Sequence, residues 1–191
     1  VQSNDLIGFD NFQRIQSRKW DYLGDAVSER LITELAIREP LATKPHLKEL
    51  EVRLSPSMNA EDDARNIQTL DRSVASGERF GRSENLQELQ GRYYYVYHFI
   101  KGTDSALQQT SKADLSQEYL TPYILECRHY GKRYDIWKRA QEIMKFRERY
   151  PASACRVRGI DACSQEIGCR PEVFAPVYRL LGCPTASALR A

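Results

Sequence analysis

The segment RYYYVYHFIKG, Arg92–Gly102, decides the fold class because it is a nearly unbroken run of aromatic and β-branched residues. Runs of this kind are typical of parallel strands that are covered on both faces. Two other segments are also predicted to be buried strands of this kind. In LKELEVRLSP, Leu47–Pro56, apolar residues alternate with charged ones, and CRVRGIDAC, Cys155–Cys163, is the third strand segment.

Helical patterns lie before, between and after these strands. They are Asp21–Glu39, which Pro40 is expected to end; Asn59–Gly77, with Asn59 as its cap; a long segment from near Thr121 to Pro151; and Arg170–Gly182, which Pro176 is expected to kink. Strands that alternate with helices indicate βαβ units and a parallel sheet. A long polar loop, residues 102–119, follows the carboxyl end of the second strand, where functional loops of such proteins lie.

The composition is that of a folded, soluble protein, with 41% hydrophobic and 28% charged residues. The net charge of +2 arises from 28 basic and 26 acidic residues, so a nucleic-acid partner or an anionic membrane surface is not indicated. No apolar run approaches the roughly 18 residues of a membrane span. The five cysteines are scattered without a C-x-x-C pair, and we expect free thiols in a reducing cytoplasm.

Polar residues near the end of the third strand form the first candidate site. Asp161 follows Ile160, and Ser164 and Glu166 lie in the turn beyond. Polar groups at the carboxyl ends of parallel strands are where ligands commonly meet the protein. The structural alternative is that Asp161 caps the next element and that Glu166 is solvated.

Two further candidates lie inside the first and second strands. His98 is either a core histidine with satisfied hydrogen bonds or a residue that contacts a ligand. Arg53, between Val52 and Leu54, needs a carboxylate or carbonyl partner if its strand is buried, because an unpaired buried charge costs several kcal/mol, roughly. It either anchors a substrate or pairs with an acid on a neighbouring strand.

The strand segments resemble those of the adenosine deaminase family. LKELEVRLSP resembles the second barrel strand, typically V-E-V-R-x-S-P, and VRGIDACSQE resembles the fourth, typically V-G-I-D-L-A-G-D-E. YYYVYHFIK occupies the place of the third strand, and RPEVFAPVYRLLG the place of the helix before the fifth. The resemblance spans roughly Phe9 to Arg190. The segments VYHFIK and ACSQE are similar to segments of the large bacterial adenosine deaminase-like proteins, including the deaminase of the RADAR anti-phage system.

The resemblance implies an α/β fold, a partial (β/α)8 TIM barrel with parallel strands two to four and their helices. Residues 1–191 would be part of a single amidohydrolase-like domain, and the intact enzyme a zinc-dependent hydrolytic deaminase of adenosine-type purines. Ser164 stands where the family has a glycine whose backbone N–H binds the purine ring, and Glu166 matches the second acid. The expected substrate-binding residues are Ser164, Glu166, Asp161, His98 and Arg53.

The chain also departs from the family pattern. It has neither the H-x-H pair of the first strand nor the H-A-G-E phrase of the fifth, which carry zinc ligands and the proton-shuttling glutamate in the family. We therefore expect an interior piece of a larger enzyme, with no catalytic residue and no metal ligand of its own. The expected partners are a purine nucleoside or nucleotide and the rest of the barrel or other subunits of a homo-oligomer. The alternative is a noncatalytic barrel scaffold or assembly module.

Overall fold

The structure is a computed structural model that describes residues 36–41, 43–44, 46–76, 90–101, 129–164 and 169–182. Its elements, in chain order, are β1 (Leu50–Leu54), α1 (Ala60–Ser76), β2 (Tyr93–Ile100), α2 (Tyr130–Arg149), α3 (Pro151–Ala154), β3 (Val157–Cys163), a 3-10 turn (Pro171–Val173) and α4 (Ala175–Gly182). Strands and helices alternate, which confirms the α/β class, and each strand lies inside the segment predicted for it.

The three strands form one parallel sheet in the order β1-β2-β3, with β2 at the centre. Tyr97 of β2 lies beside Leu54 on one side and beside Ile160 on the other. The pairing of β2 with β3 shifts by one residue between Tyr95 and Val96, which leaves Arg158 as the extra residue of a bulge. Because all three strands run in the same direction, their carboxyl ends meet at one rim of the sheet.

One face of the sheet packs against the helices and forms the hydrophobic core. On β2 this face carries Tyr93, Tyr95, Tyr97 and Phe99, all fully or almost fully buried. The Tyr97 ring lies 6.3 Å from that of Phe146 on α2. Large aromatic side chains remove the most apolar surface from water, so this layer contributes much of the stability of the fold. We call it the tyrosine face.

The opposite face of the sheet is polar, and we call it the polar face. The strand residues that pack into the main hydrophobic cluster all lie on the tyrosine face. In β1, burial alternates, and Glu51 and Arg53 are exposed. The expectation that the first strand is buried on both faces is therefore wrong. The physical reason is visible in its sequence, because strict alternation of apolar and charged residues is the pattern of a half-buried strand.

Helix α1 forms as predicted. The side chain of Asn59 accepts a hydrogen bond from the backbone N–H of Asp62 at 2.8 Å, which is a standard amino-terminal cap. Glu142 of α2 accepts a second bond from the N–H of Ala60 at 3.3 Å, so a neighbouring helix helps to cap this end. The helix ends at Ser76.

The predicted end of the first helix at Pro40 is wrong. Residues 36–41 and 43 are helical, and the carbonyl of Pro40 accepts a hydrogen bond from the N–H of Lys44 at 3.0 Å. Proline lacks a donor but keeps its carbonyl, so it can still accept the bonds that the following turn requires. The rest of the predicted segment Asp21–Glu39 lies outside the described residues.

Two other helix predictions also need correction. The long helix does not run continuously from Thr121, because His129 has a left-handed backbone with φ 58° and α2 begins at Tyr130. Pro176 does not kink a helix, since it is the second residue of α4, where the missing N–H would have no intrahelical partner. The 3-10 turn replaces the start of the predicted helix.

A buried ion pair ties α1 to the amino ends of β2 and β3. Asp71 accepts hydrogen bonds from the hydroxyls of Tyr93 and Tyr95, each at 2.7 Å, and from Nε of Arg156 at 3.1 Å. The Arg156 guanidinium also donates to the carbonyls of Gln90 and Tyr93 at 2.6 and 3.0 Å. Its carbon lies 4.4 Å from the centre of the Tyr93 ring. Every charge in this cluster therefore has partners, as a buried pair requires.

Among the described residues, no helix combines the length and the apolar character needed to cross a membrane.

Candidate functional site

Three of the sequence-predicted site residues lie together on the polar face, toward the carboxyl ends of the strands. His98 of β2 and Asp161 of β3 are register partners, and Arg53 of β1 lies beside Val96. Because side chains alternate along a strand, Arg53, Val96, His98 and Asp161 all project from the same side of the sheet. Each of the three strands thus contributes one polar residue to a single cluster.

Arg53 reaches across the central strand to Asp161. Its Nη1 lies 3.2 Å from Oδ2 of Asp161, while its Nε donates to Oε1 of Glu51 at 2.9 Å. Of the two alternatives for Arg53, pairing with an acid is therefore the observed one, and the acid lies two strands away. The side chain is 56% exposed, so the predicted cost of a buried unpaired charge does not arise. The hydrogen bond to Glu51 and then the charge of Asp161 raise the pKa of Arg53.

The imidazole of His98 is partly buried, and its Nδ1 has no hydrogen-bond partner among the residues that the structure describes. The same is true of Oδ1 of Asp161. The alternative that His98 is a core histidine with satisfied hydrogen bonds therefore does not hold for Nδ1. Burial lowers the pKa of His98, with Arg53 acting in the same direction and Asp161 opposing it. The lowered pKa favours a neutral imidazole at neutral pH, which suits a proton acceptor.

Cys163, two residues after Asp161 in β3, lies on the same face toward the rim, whereas Tyr178 of α4 packs against the hydrophobic core. Burial and then the charge of Asp161 raise the pKa of the Cys163 thiol, so the reactive thiolate is disfavoured there. Burial also raises the pKa of Tyr178 on α4, with Asp161 and Cys163 acting in the same direction. Cys155, Cys163 and Cys169 are free thiols, in agreement with the prediction. The other two cysteines lie outside the described residues.

Ser164 is the first residue after β3, and it has a backbone φ of 82°. This is the region that favours glycine, because a side chain there crowds the following carbonyl. Ser164 is exposed at the rim. Glu166 lies outside the described residues. The alternative that Asp161 caps the next element is wrong, because Asp161 is inside β3 and its Oδ2 is paired with Arg53.

Asp63, a buried carboxyl group near the same rim, was not predicted from the sequence. Asp63 of α1 is almost fully buried on the tyrosine side, and its Oδ1 accepts a bond from the N–H of Ser57 at 2.8 Å. Burial raises the pKa of Asp63. Burial also raises the pKa of Tyr97, followed by the charge of Asp63. Asp63 thereby ties the turn after β1 to α1, and both residues lie on the tyrosine side rather than facing the polar cluster.

The Asp71–Arg156 cluster was also not predicted, although the position of Asp71 in the sequence of α1 indicates it. Asp71 occupies a position on the buried stripe of α1, whose other members are Ala60, Ala64, Ile67 and Val74. A carboxylate at a core position of an amphipathic helix requires a cationic or hydroxyl partner. The cluster lies at the amino ends of the strands, opposite the rim where ligands of parallel α/β sheets bind.

The described residues do not assemble a metal site. No group of three or more His, Cys, Asp or Glu side chains is placed to hold an ion within the part of the chain that the structure describes. The polar cluster offers one imidazole and one carboxylate oxygen, and the other oxygen of that carboxylate is taken by Arg53. The described residues therefore do not fit the zinc centre that the family resemblance implies.

Comparison with known proteins returned no family model that matches the sequence and no matching curated protein.

Proposed function

We propose that the chain supplies strands two to four of a (β/α)8 barrel in a zinc-dependent hydrolytic deaminase of adenosine-type purines. A purine nucleoside or nucleotide would enter over the carboxyl ends of the strands, past Ser164 and Glu166. β1, β2 and β3 would be barrel strands two, three and four. The metal ligands and the remaining strands would lie outside this chain.

The backbone of Ser164 is the observation that carries this proposal. Its φ of 82° is a glycine-like conformation at the position where the family phrase A-G-D-E has its glycine. The sequence resemblance was drawn without knowledge of the backbone conformation. Both observations nevertheless indicate the same residue, Ser164. Serine carries the same backbone N–H as glycine, so it can fill the role that the family gives to glycine.

The ion pair between Arg53 and Asp161 supports the proposal independently. Arg53 belongs to the phrase EVRLSP and Asp161 to the phrase VRGIDACSQE, the two segments that carry the resemblance. Their side chains meet at 3.2 Å across β2, on the face that would line a barrel interior. In (β/α)8 barrels, helices cover the outside of the sheet and side chains fill the inside. The tyrosine face and the polar face correspond to this division.

The edges of the sheet favour a larger assembly. In the order β1-β2-β3, the outer strands each present one edge without a described partner strand. The backbone groups of an uncovered edge pair readily with other strands, so proteins usually cover or protect such an edge. We propose that the rest of the barrel, or neighbouring subunits of a homo-oligomer, covers these edges. No catalytic step is assigned to zinc here, because the described residues do not form its site.

An ammonia-release assay tests the proposed reaction. The assay uses the complete coding sequence around this chain, supplied with zinc and incubated with adenosine or its nucleotides. We expect ammonia and an inosine-type product, and we expect Ser164→Gly to retain activity because glycine keeps the backbone donor and widens the pocket. If the folded, zinc-supplied protein releases no ammonia from any of these compounds, the deaminase proposal fails and the noncatalytic scaffold is favoured.

A further inference from the structure

His98 and Asp161 each bury one polar atom that has no hydrogen-bond partner within the described part of the chain. These atoms are Nδ1 of His98 and Oδ1 of Asp161. The two residues are register partners on neighbouring parallel strands, where backbones lie about 4.8 Å apart and paired side chains project from the same side. An unsatisfied buried donor or acceptor is costly, and a hydrogen bond between these two atoms would satisfy both.

The chemistry of the two groups allows one arrangement. An ionised carboxylate only accepts hydrogen bonds, whereas a neutral imidazole donates from one nitrogen and accepts at the other. A bond between Nδ1 and Oδ1 therefore requires the Nδ1–H tautomer of His98. The lone pair of the ring is then on Nε2. Arg53 pairs with the other oxygen of Asp161, so Oδ1 is the oxygen that is left for His98.

We propose that Asp161 and His98 form a carboxylate–imidazole pair, in which Asp161 holds the Nδ1–H tautomer and His98 exchanges protons at Nε2 with a polar ligand at the rim. The ligand class is a neutral molecule with an ionisable hydroxyl or amino proton. In the forward step, Nε2 takes that proton and the bonding pair stays on the ligand oxygen or nitrogen. The imidazolium formed is stabilised by Asp161, and the proton returns when the product forms.

The charges around His98 suit this role. Asp161 on β3 favours the imidazolium, while Arg53 on β1 and partial burial favour the neutral ring. Glu51 is bound to Arg53. Among the described residues, Cys163 and Tyr178 also interact with Asp161, and their raised pKa values leave them uncharged at neutral pH, while the charge of Lys101 acts on Cys163. His98 is thereby a neutral proton acceptor, and Asp161 can stabilise the imidazolium that forms, as in acid–base pairs of enzymes.

This inference concerns the residues of this chain alone and does not depend on zinc or on a purine substrate. The chain has only three histidines, so the ring nitrogens of His98 can be assigned by comparison with His98→Gln. Nitrogen-detected NMR near neutral pH is expected to show the Nδ1–H tautomer in the unmodified chain. In Asp161→Asn, the Nε2–H tautomer is expected to become predominant and the pKa of His98 to fall.

Asp62→Asn serves as the matched control, because it makes the same change in a carboxylate of α1 that pairs with Arg65. It should leave the tautomer and the pKa of His98 unchanged. A predominant Nε2–H tautomer in the unmodified chain, or an identical pKa in Asp161→Asn, would overturn the pair. The ammonia assay can fail without affecting this result, so the two proposals are tested separately.

A chemical readout tests whether Nε2 is the exchanging atom. Acylation of histidine by diethyl pyrocarbonate requires an accessible ring nitrogen with a lone pair, and mass spectrometry resolves the three histidines. We expect His98 to be acylated in the unmodified chain and the rate to fall severalfold in Asp161→Asn, while His46 reacts equally in both. Absence of His98 acylation, or equal rates in both proteins, would contradict proton exchange at Nε2.

Discussion

The guanidinium of Arg53 lies 3.2 Å from the carboxylate of Asp161, although the two residues belong to strands on opposite sides of β2. This contact links the two outer strands of the sheet across its polar face. It also brings together the two sequence phrases on which the functional proposal depends. Between them lies His98, whose pKa is affected by both charges.

Removal of Arg53 should change the electrostatics of the cluster more than its stability. The side chain of Arg53 is 56% exposed, and exposed ion pairs contribute little and are screened by salt. We expect Arg53→Gln to change the free energy of unfolding only slightly and the pKa of His98 to rise, because Arg53 lowers it. Denaturant unfolding at two salt concentrations and histidine NMR measure the two effects.

Arg65→Gln is the control for this substitution, since Arg65 forms exposed pairs with Glu61 and Asp62 on α1. It should leave the pKa of His98 unchanged. A large, salt-insensitive loss of stability in Arg53→Gln would show that the pair is structural.

Loss of the buried carboxylate at the other end of the sheet should be far more damaging. Asp71→Asn leaves the Arg156 charge buried without its counter-ion and weakens the acceptor of two tyrosine hydroxyls. We expect the free energy of unfolding to fall by about 3 kcal/mol, the usual cost of breaking a buried pair. Denaturant unfolding measures it, with Asp62→Asn expected to stay within about 0.5 kcal/mol of the unmodified chain. A similar small change in Asp71→Asn would contradict the role of this cluster.

The framework of this fold could be predicted from sequence because it depends on local patterns. The apolar run of β2 and the cap at Asn59 are each set by a few neighbouring residues, and the structure confirms both. The helix boundaries at Pro40 and His129 and the kink at Pro176 were predicted wrongly, because each of these residue types is compatible with more than one backbone conformation. Pro176 is tolerated because the second residue of a helix needs no intrahelical N–H, whereas Pro40 lies inside a helical run and only its carbonyl continues the bonding, to the N–H of Lys44.

The side-chain pairings could be predicted only in part. That Arg53 pairs with an acid could be expected from its charge, but its pairing with Asp161 depends on the spacing of three strands. The pairing of Asp71 with Arg156 joins residues that are far apart in the chain. Such contacts are set by tertiary packing. The position of the Asp71 carboxylate on the apolar stripe of α1 nevertheless indicates that it has a buried polar partner.

Stability should fall in alkaline solution because of the tyrosine face. Burial raises the pKa of Tyr93, Tyr95 and Tyr97 above the ordinary value of about 10. Above that pH the unfolded chain releases protons that the folded chain retains, so the free energy of unfolding decreases as the pH rises. Denaturant unfolding across this range is the measurement, and Tyr95→Phe should flatten the decrease. An unchanged profile in that variant would contradict the assignment.

Ser164→Gly should stabilise the protein slightly. Relief of the left-handed backbone at a non-glycine residue is worth about 1–2 kcal/mol, and the extra chain entropy of glycine offsets roughly 0.5–1 kcal/mol of it. We therefore expect a net gain of about 0.5 kcal/mol in the free energy of unfolding. Ser73→Gly, inside helix α1, is the control and should lower it. A loss of stability in Ser164→Gly would contradict the strained conformation at this position.

Photoaffinity labelling tests most directly whether the carboxyl ends of the three strands form a purine pocket. The complete protein is irradiated with an azido-adenosine probe, and the labelled peptides are identified by mass spectrometry with and without excess adenosine. We expect competable labelling at the carboxyl ends of β2 and β3, at His98 or Ser164 and their neighbours. Competable labelling confined to the helices or to the amino-terminal rim near Asp71, or labelling that adenosine does not displace, would contradict the proposed pocket.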